Sequence, residues 1–411
     1  MNVVLFEDDH LERLYPITLS RPAFAISCGS YRLIDLVTCW QRPFCYVVRP
    51  HLMVIVAADY PQPCSLAEMS GDMLLVNAAC VPSMSTMQEL KRLVADGRPG
   101  CVRTGNRIAA VVAPESCAPE PRQLNPEQLP RYLDSMQLES LAGRLPLFEY
   151  PHDVVRWHMQ ILGENLNHRL EQGNYQELES GVFVAEGAKL GHYIVTDTSD
   201  GPILLEADAS IGPYTYLTGP AYFGRGARVL EHASIKDGVA VGHTTKIGGE
   251  VEASIVEPYT NKQHHGFLGH SYLGSRINLG AGTCNSDLKN TYGEVNMEYA
   301  GQKVASGMQF MGCVVGDYSK SAINTSIFTG KVIGAGSLLY GFVTTNVPSF
   351  VNYARSFGQV SEVPPEVLIS TQRRMFARRD VTQRPCDMQL LNDMFDLTRS
   401  ERQMAGEPLS L

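Results

Sequence analysis

Five anchors, Phe223, Val229, Ile235, Val241 and Ile247, follow one another six residues apart without a slip. Units such as Val184-Ala185-Glu186-Gly187-Ala188, Leu190-Gly191-His192-Tyr193-Ile194 and Ile211-Gly212-Pro213-Tyr214-Thr215 keep the same step. The beat resumes at Leu273 and Leu279, then around Val315 and Ile333-Gly334-Ala335-Gly336-Ser337. A hexapeptide period marks a parallel β-solenoid, in which each step is one short strand and three steps close one triangular coil. The anchors point inward and stack as a continuous core, and Gly and Asp serve the corners. The pairs Gly224-Arg225-Gly226 and Gly334-Ala335-Gly336 therefore read as solenoid corners rather than nucleotide loops, because no helix follows them.

The solenoid leaves the first part of the chain to account for. At 411 residues the chain is long enough for two domains, and 44% hydrophobic against 19% charged residues is an ordinary globular balance. Short apolar runs at Val3–Phe6, Cys45–Val48, Met53–Ala57, Met73–Val76 and Ile108–Val112 read as buried strands; Thr86–Asp96 has helical spacing. Strands alternating with helices predict an α/β domain. The proline-rich stretch 113–130 reads as an exposed excursion, and Val154 to Leu170 as the helix that closes the first domain and leads into the second. After Pro364 the pattern is helical again, and its cluster Arg373, Arg374, Arg378 and Arg379 reads first as a solvated packing face. The expected boundaries are 1–178 for the α/β domain, 179–362 for the solenoid and 363–411 for the helical tail.

A net charge of −9 disfavours nucleic acid and anionic membranes as partners, so a phosphate ligand needs a local cationic pocket. No run reaches a membrane span, and the N-terminus lacks signal-peptide features. Ten scattered cysteines without a CxxC pair suggest reduced thiols and a cytoplasmic protein.

One loop, Tyr259 to His270, interrupts the solenoid beat with Asn261, Lys262, His264, His265 and His270. Insertions between coils commonly build binding sites. A loop imidazole suits removing a proton from an amine or hydroxyl near neutral pH. Lys262 is expected to hold a phosphate. The corner Gly280-Ala281-Gly282 is expected to offer backbone N–H groups to a carbonyl or a pantetheine-like chain. Two other readings stay open: a three-histidine metal site, which has no carboxylate or cysteine at ligand spacing, and histidines satisfied at a subunit interface.

The run Thr260 to His270, with Asn278 to Thr283 and Leu288-Lys289-Asn290, resembles the acyltransferase half of the bifunctional enzymes that make UDP-N-acetylglucosamine, and more closely a divergent bacterial, GlmU-like branch of that family. The resemblance implies a left-handed β-helix, a homotrimer and acetyl transfer from acetyl-CoA to glucosamine-1-phosphate. It places the base at His264, five residues before Gly269, and an aromatic contact at Phe267 where a tyrosine is usual. Asn285 is implied as a substrate or cofactor contact, Lys289 as a phosphate contact, and Gly280, Ala281 and Gly282 as the cofactor corner.

Arg13 to Pro22 and Gly29 to Asp35 are similar to the opening of sugar-1-phosphate nucleotidyltransferases. That similarity implies uridylyl transfer from UTP to N-acetylglucosamine-1-phosphate, with Arg13 and Arg21 on phosphates and Mg²⁺ assisting. Where those enzymes carry a glycine-rich loop, this chain has Phe6-Glu7-Asp8-Asp9-His10-Leu11-Glu12. Glu7, Asp8 and Asp9 are candidates for the metal, or form a solvated turn. Two rivals remain: an acetyltransferase whose first domain only senses a sugar nucleotide, and a trimeric scaffold without catalysis.

Overall fold

The computed structural model describes residues 1–60, 64, 69–119, 125 and 128–404. Its contacts divide the chain into two compact units. Unit 1 comprises residues 1–14, 20–26 and 31–150; unit 2 comprises 15–19, 27–30 and 151–411.

Unit 1 runs β1 (Asn2–Phe6), α1 (Leu33–Cys39), β2 (Phe44–Val47), α2 (Met53–Asp59), β3 (Met73–Asn77), α3 (Met84–Asp96), β4 (Gly100–Thr104), β5 (Arg107–Ala113) and α4 (Leu129–Ser135). The sheet order is β2-β1-β3-β5-β4. β1 pairs in parallel with β2 and β3, and β5 returns antiparallel to β3. These strands are buried almost throughout, as continuous apolar runs should be when both faces are covered. Met53–Ala57, expected as a strand, is helix. A short apolar run carries no period to separate the two states, and the turn Pro50–Leu52 presets helical backbone ahead of it. Only Ile55 and Val56 of α2 are buried, while Met53 and Val54 face solvent. Part of the proline-rich stretch lies outside the described residues.

Unit 2 opens on α5 (Pro151–Gln172) and continues into the solenoid. Leu217 pairs with Ile235, Phe223 with Val241 and Val229 with Ile247, each eighteen residues on. Three six-residue steps therefore make one coil, and the predicted anchors form a single buried column system from Val182 to Tyr353. Burying each such side chain is worth roughly 2 kcal/mol. A helical tail follows: α6 (Pro365–Ala377), α7 (Pro385–Leu397) and α8 (Arg399–Met404).

His158 of α5 is fully buried within unit 2. Its Nδ1 accepts from the Gly29 amide at 2.9 Å, and its Nε2 donates to the Gly238 carbonyl at 3.0 Å. Both bonds need the neutral ring, and burial pushes its pKa down to about 4. A depressed histidine pKa means the folded state resists a proton that the unfolded chain accepts. The stabilisation is complete above the unfolded value near 6.5 and is lost as pH falls towards 4. Urea unfolding of the wild-type protein should lose about 2–3 kcal/mol from this group between pH 7 and 4.5. The His158→Gln variant should lack that increment; an unchanged pH dependence would exclude His158 as its source.

Candidate functional site

The coil shortens between Ile247 and Val256, where the inward steps are four residues to Val251 and five to Val256; the six-residue step then returns at Lys262 and Leu268, so the histidine segment keeps the beat it was expected to interrupt. Ile247 pairs not eighteen but fifteen residues on, with Lys262, so the lysine falls into the inward column of the core. Its ammonium turns back to the corner and donates to the carbonyls of Gly248 (2.8 Å), His264 (2.8 Å) and Gly266 (2.7 Å). Burial lowers its pKa to about 8. The expected phosphate contact is thus corrected: Lys262 has spent its three donors on backbone carbonyls, two of the histidine loop and one of the coil before it.

Asn285 is also an inward residue, pairing with Ile327. Its Oδ1 accepts from Gly269 N at 3.0 Å and its Nδ2 donates to Gly269 O at 3.1 Å. It clamps one coil to the next and does not face a ligand. At the glycine corner, Gly280 N already donates to Ser321 and Gly282 N to the carbonyl of His265. The expected donors from those two residues are therefore used within the solenoid, and Ala281 O accepts from Asn324 N at 2.7 Å. Lys289 donates to the Glu294 carbonyl within its own turn.

His264 and His265 lie exposed on the corner, His264 with only a long contact to Gln263. Phe267 is half-buried, and its ring lies over Gly269, where an added Cβ would sit 2.4 Å from Cζ. His270 is held more firmly. Its Nδ1 stands 2.9 Å from Asp287 Oδ2, and its ring stacks on Phe310 with centroids 5.2 Å apart. Asp287 was not legible as a partner from local spacing. It lies seventeen residues after His270, the same interval that pairs Val256 with Leu273, so coil register was the signal that identifies it.

The outward column beside Lys262 explains a second feature. Arg228, Lys246, Asn261, Asn278 and Lys320 are successive partners along one face. The end of α6 and the residues after it overhang this face, leaving a partly open cavity of about 620 Å³. Arg228, Lys246, Arg276, Lys320, Arg378 and Arg379 line it together with Asn261 and Gln263, and among the described residues no carboxylate does. The Arg276 guanidinium is sandwiched between Tyr259 (4.4 Å) and Phe376 (4.0 Å). Arg379 donates to Thr244 O and to Asn261 Oδ1. Burial brings Lys320 down to about 8; burial, then Arg379, Arg228 and Arg378, lower Lys246. The tail arginines are therefore not a solvated face throughout. Six cations facing one volume repel one another until an anion enters.

In unit 1 the acidic residues do not form a metal centre. Glu7 is buried and accepts from Ala23 N, from Arg49 N at 2.8 Å and from Arg49 Nε at 3.0 Å. Asp8 takes Arg107 in a two-pronged pair at 2.8 and 3.0 Å and also accepts from Asn77 Nδ2. Asp9 points to solvent with its side chain 86% exposed. Two carboxylates are neutralised by guanidinium groups and the third diverges, so these residues do not fit Mg²⁺. Among the described residues no group of three metal-ligating side chains gathers. Of the two expected phosphate contacts, Arg13 is exposed and Arg21 is buried.

Replacing Lys262 by Met should destabilise the protein by on the order of 3 kcal/mol, because three corner carbonyls lose a charged donor. Denaturant unfolding reads this directly. Undiminished stability together with lost ligand binding would return Lys262 to the role of a ligand contact.

Residues 3–173 match the model of a family described as sugar nucleotidyl transferase. The chain is 29% identical over 148 residues to a bifunctional sugar-1-phosphate nucleotidylyltransferase/acetyltransferase of Sulfurisphaera tokodaii, covering 36% of this chain and 37% of that one. It is 31% identical over 175 residues to the bifunctional protein GlmU of Acidithiobacillus ferrooxidans, covering 41% and 34%. The chain thus spans about a third of the length of these curated relatives. Among solved structures it is similar to a UDP-N-acetylglucosamine acyltransferase of Francisella novicida, at 16% identity and a TM-score of 0.28, over 57% of this chain and 81% of that one. The solenoid rests on its own strand register rather than on that likeness. Among the described residues no helix is long and apolar enough to cross a membrane.

Proposed function

We propose that this chain, with residues 3–173 in the sugar nucleotidyl transferase family and a β-solenoid beyond, performs two steps of sugar-nucleotide supply. The first is acetyl transfer from acetyl-CoA to the amine of glucosamine-1-phosphate; the second is uridylyl transfer from UTP to the N-acetylated product. The working form is a homotrimer in the cytoplasm, with functional boundaries at 1–178, 179–362 and 363–411.

The observation that carries the acyl-transfer reading is the carboxylate-free cavity of six cations beside the histidine loop. Both substrates bear phosphate, and guanidinium groups suit it by fork geometry. Gln263 lines the cavity and His264 is the next residue, so an anion held there lies near an exposed imidazole. The resemblance names His264 as the base that takes the proton from the attacking amine. The C–N bond forms, the C–S bond breaks, and the proton passes to the departing thiolate.

Uridylyl transfer rests on the family match. The internal pairs Glu7–Arg49 and Asp8–Arg107 favour a second reading in which unit 1 binds a sugar nucleotide without turning over a triphosphate. The experiment follows CoA release with glucosamine-1-phosphate, and pyrophosphate release with UTP, N-acetylglucosamine-1-phosphate and Mg²⁺. CoA release should fall at least 10-fold in Arg228→Ala/Arg379→Ala, mainly through KM for the phosphate-bearing substrates. Wild-type kinetics in that variant would contradict the cavity's role. Pyrophosphate release separates the bifunctional reading from the sensing one.

A further inference from the structure

The acyl-transfer reading leaves one constellation unused. His270 ends the histidine loop, and Asp287 begins the insertion that follows Asn285. Their side chains are 16% and 13% exposed, partly sheltered yet reachable. A carboxylate only accepts, so the 2.9 Å contact with Asp287 Oδ2 fixes the ring proton on Nδ1 and leaves the lone pair on Nε2. Among the described residues Nε2 makes no hydrogen bond.

The backbone holds the pair from two sides. Met311 N donates to Asp287 O at 2.8 Å, and Gly312 N donates to His270 O at 2.9 Å. The carboxylate also claims the space above Gly269, where a Cβ would stand 2.3 Å from Asp287 Oδ2. Phe310, which stacks on the imidazole, is itself 41% exposed and provides an apolar wall beside Nε2. An imidazole with its tautomer set by a carboxylate and its ring angle set by an aromatic face is pre-organised for proton transfer. His264 has no carboxylate partner among the described residues.

We infer that His270, oriented by Asp287, supplies the base of the solenoid's acyl transfer in place of His264. The inference rests on the acyl-transfer reading. Nε2 accepts a proton from the amine as its nitrogen bonds to the acyl carbon; the C–S bond breaks, and the imidazolium returns that proton to the thiolate. Asp287 is a positioning residue that acts through the ring.

Glutamine at 270 keeps a side-chain N–H for Asp287 but supplies no base, which separates anchoring from chemistry. CoA release with glucosamine-1-phosphate is measured for the wild-type protein, His270→Gln, Asp287→Asn and His264→Ala, with thermal melts alongside. His270→Gln should melt within a few degrees of wild type while kcat falls about 10²- to 10⁴-fold and KM changes little. Asp287→Asn should lower kcat about 10-fold or more, and nitrogen NMR of the ring should show the loss of the Nδ1–H tautomer. Wild-type kcat in His270→Gln overturns the inference and leaves the base to His264. If the wild-type protein releases no CoA with this amine, the acyl-transfer reading and the inference fall together.

Discussion

In the solenoid each coil's backbone N–H groups are satisfied by carbonyls of the next coil, and everything else follows from that ladder. With the main chain committed, side chains sort strictly into inward and outward columns. An inward position must be apolar or find its partners inside; an outward position shares a face with every residue one coil above and below. The columns decide which polar groups stabilise the fold and which are available to a ligand.

Coil length is where the chemistry enters. Ile211, Val229 and Ile247 stack at eighteen-residue steps, and the next coil reaches the same column after fifteen, at Lys262. A lysine in that column has to deliver its charge to the corner, and two of the three carbonyls it meets there belong to the histidine loop. Asn285 does the same with an amide, joining Gly269 to its own coil. These two residues shape the loop from within. The outward neighbours Arg228, Lys246 and Lys320 meet the tail arginines across a cavity, and their lowered or strained charges are what an anion relieves.

The solenoid was legible because one period determines it, and every anchor of the uninterrupted run lies in the core. The α/β unit was legible from alternating elements, except at Met53–Ala57, where five residues carry too little period to distinguish helix from strand. The site was legible only as a location. Motif order puts Lys262, His264, Phe267 and Asn285 close together in sequence, but the direction of each side chain depends on coil register, which a shortened coil shifts. Register likewise brings Asp287 to His270 and Arg379 to Asn261, neither of which is a sequence neighbour. The acidic run Glu7-Asp8-Asp9 misled for a related reason: the arginines that neutralise it, Arg49 just after β2 and Arg107 at the start of β5, come from much later in the chain.

The central claim is that the cation-lined cavity receives phosphate groups while the histidine loop beside it carries the reacting end. A crystal structure with CoA bound tests this most directly. The account predicts phosphate density among Arg228, Lys246 and Arg379, with the pantetheine arm running towards Gln263 and the loop histidines. CoA bound elsewhere on the solenoid, with the cavity empty of phosphate, would contradict it.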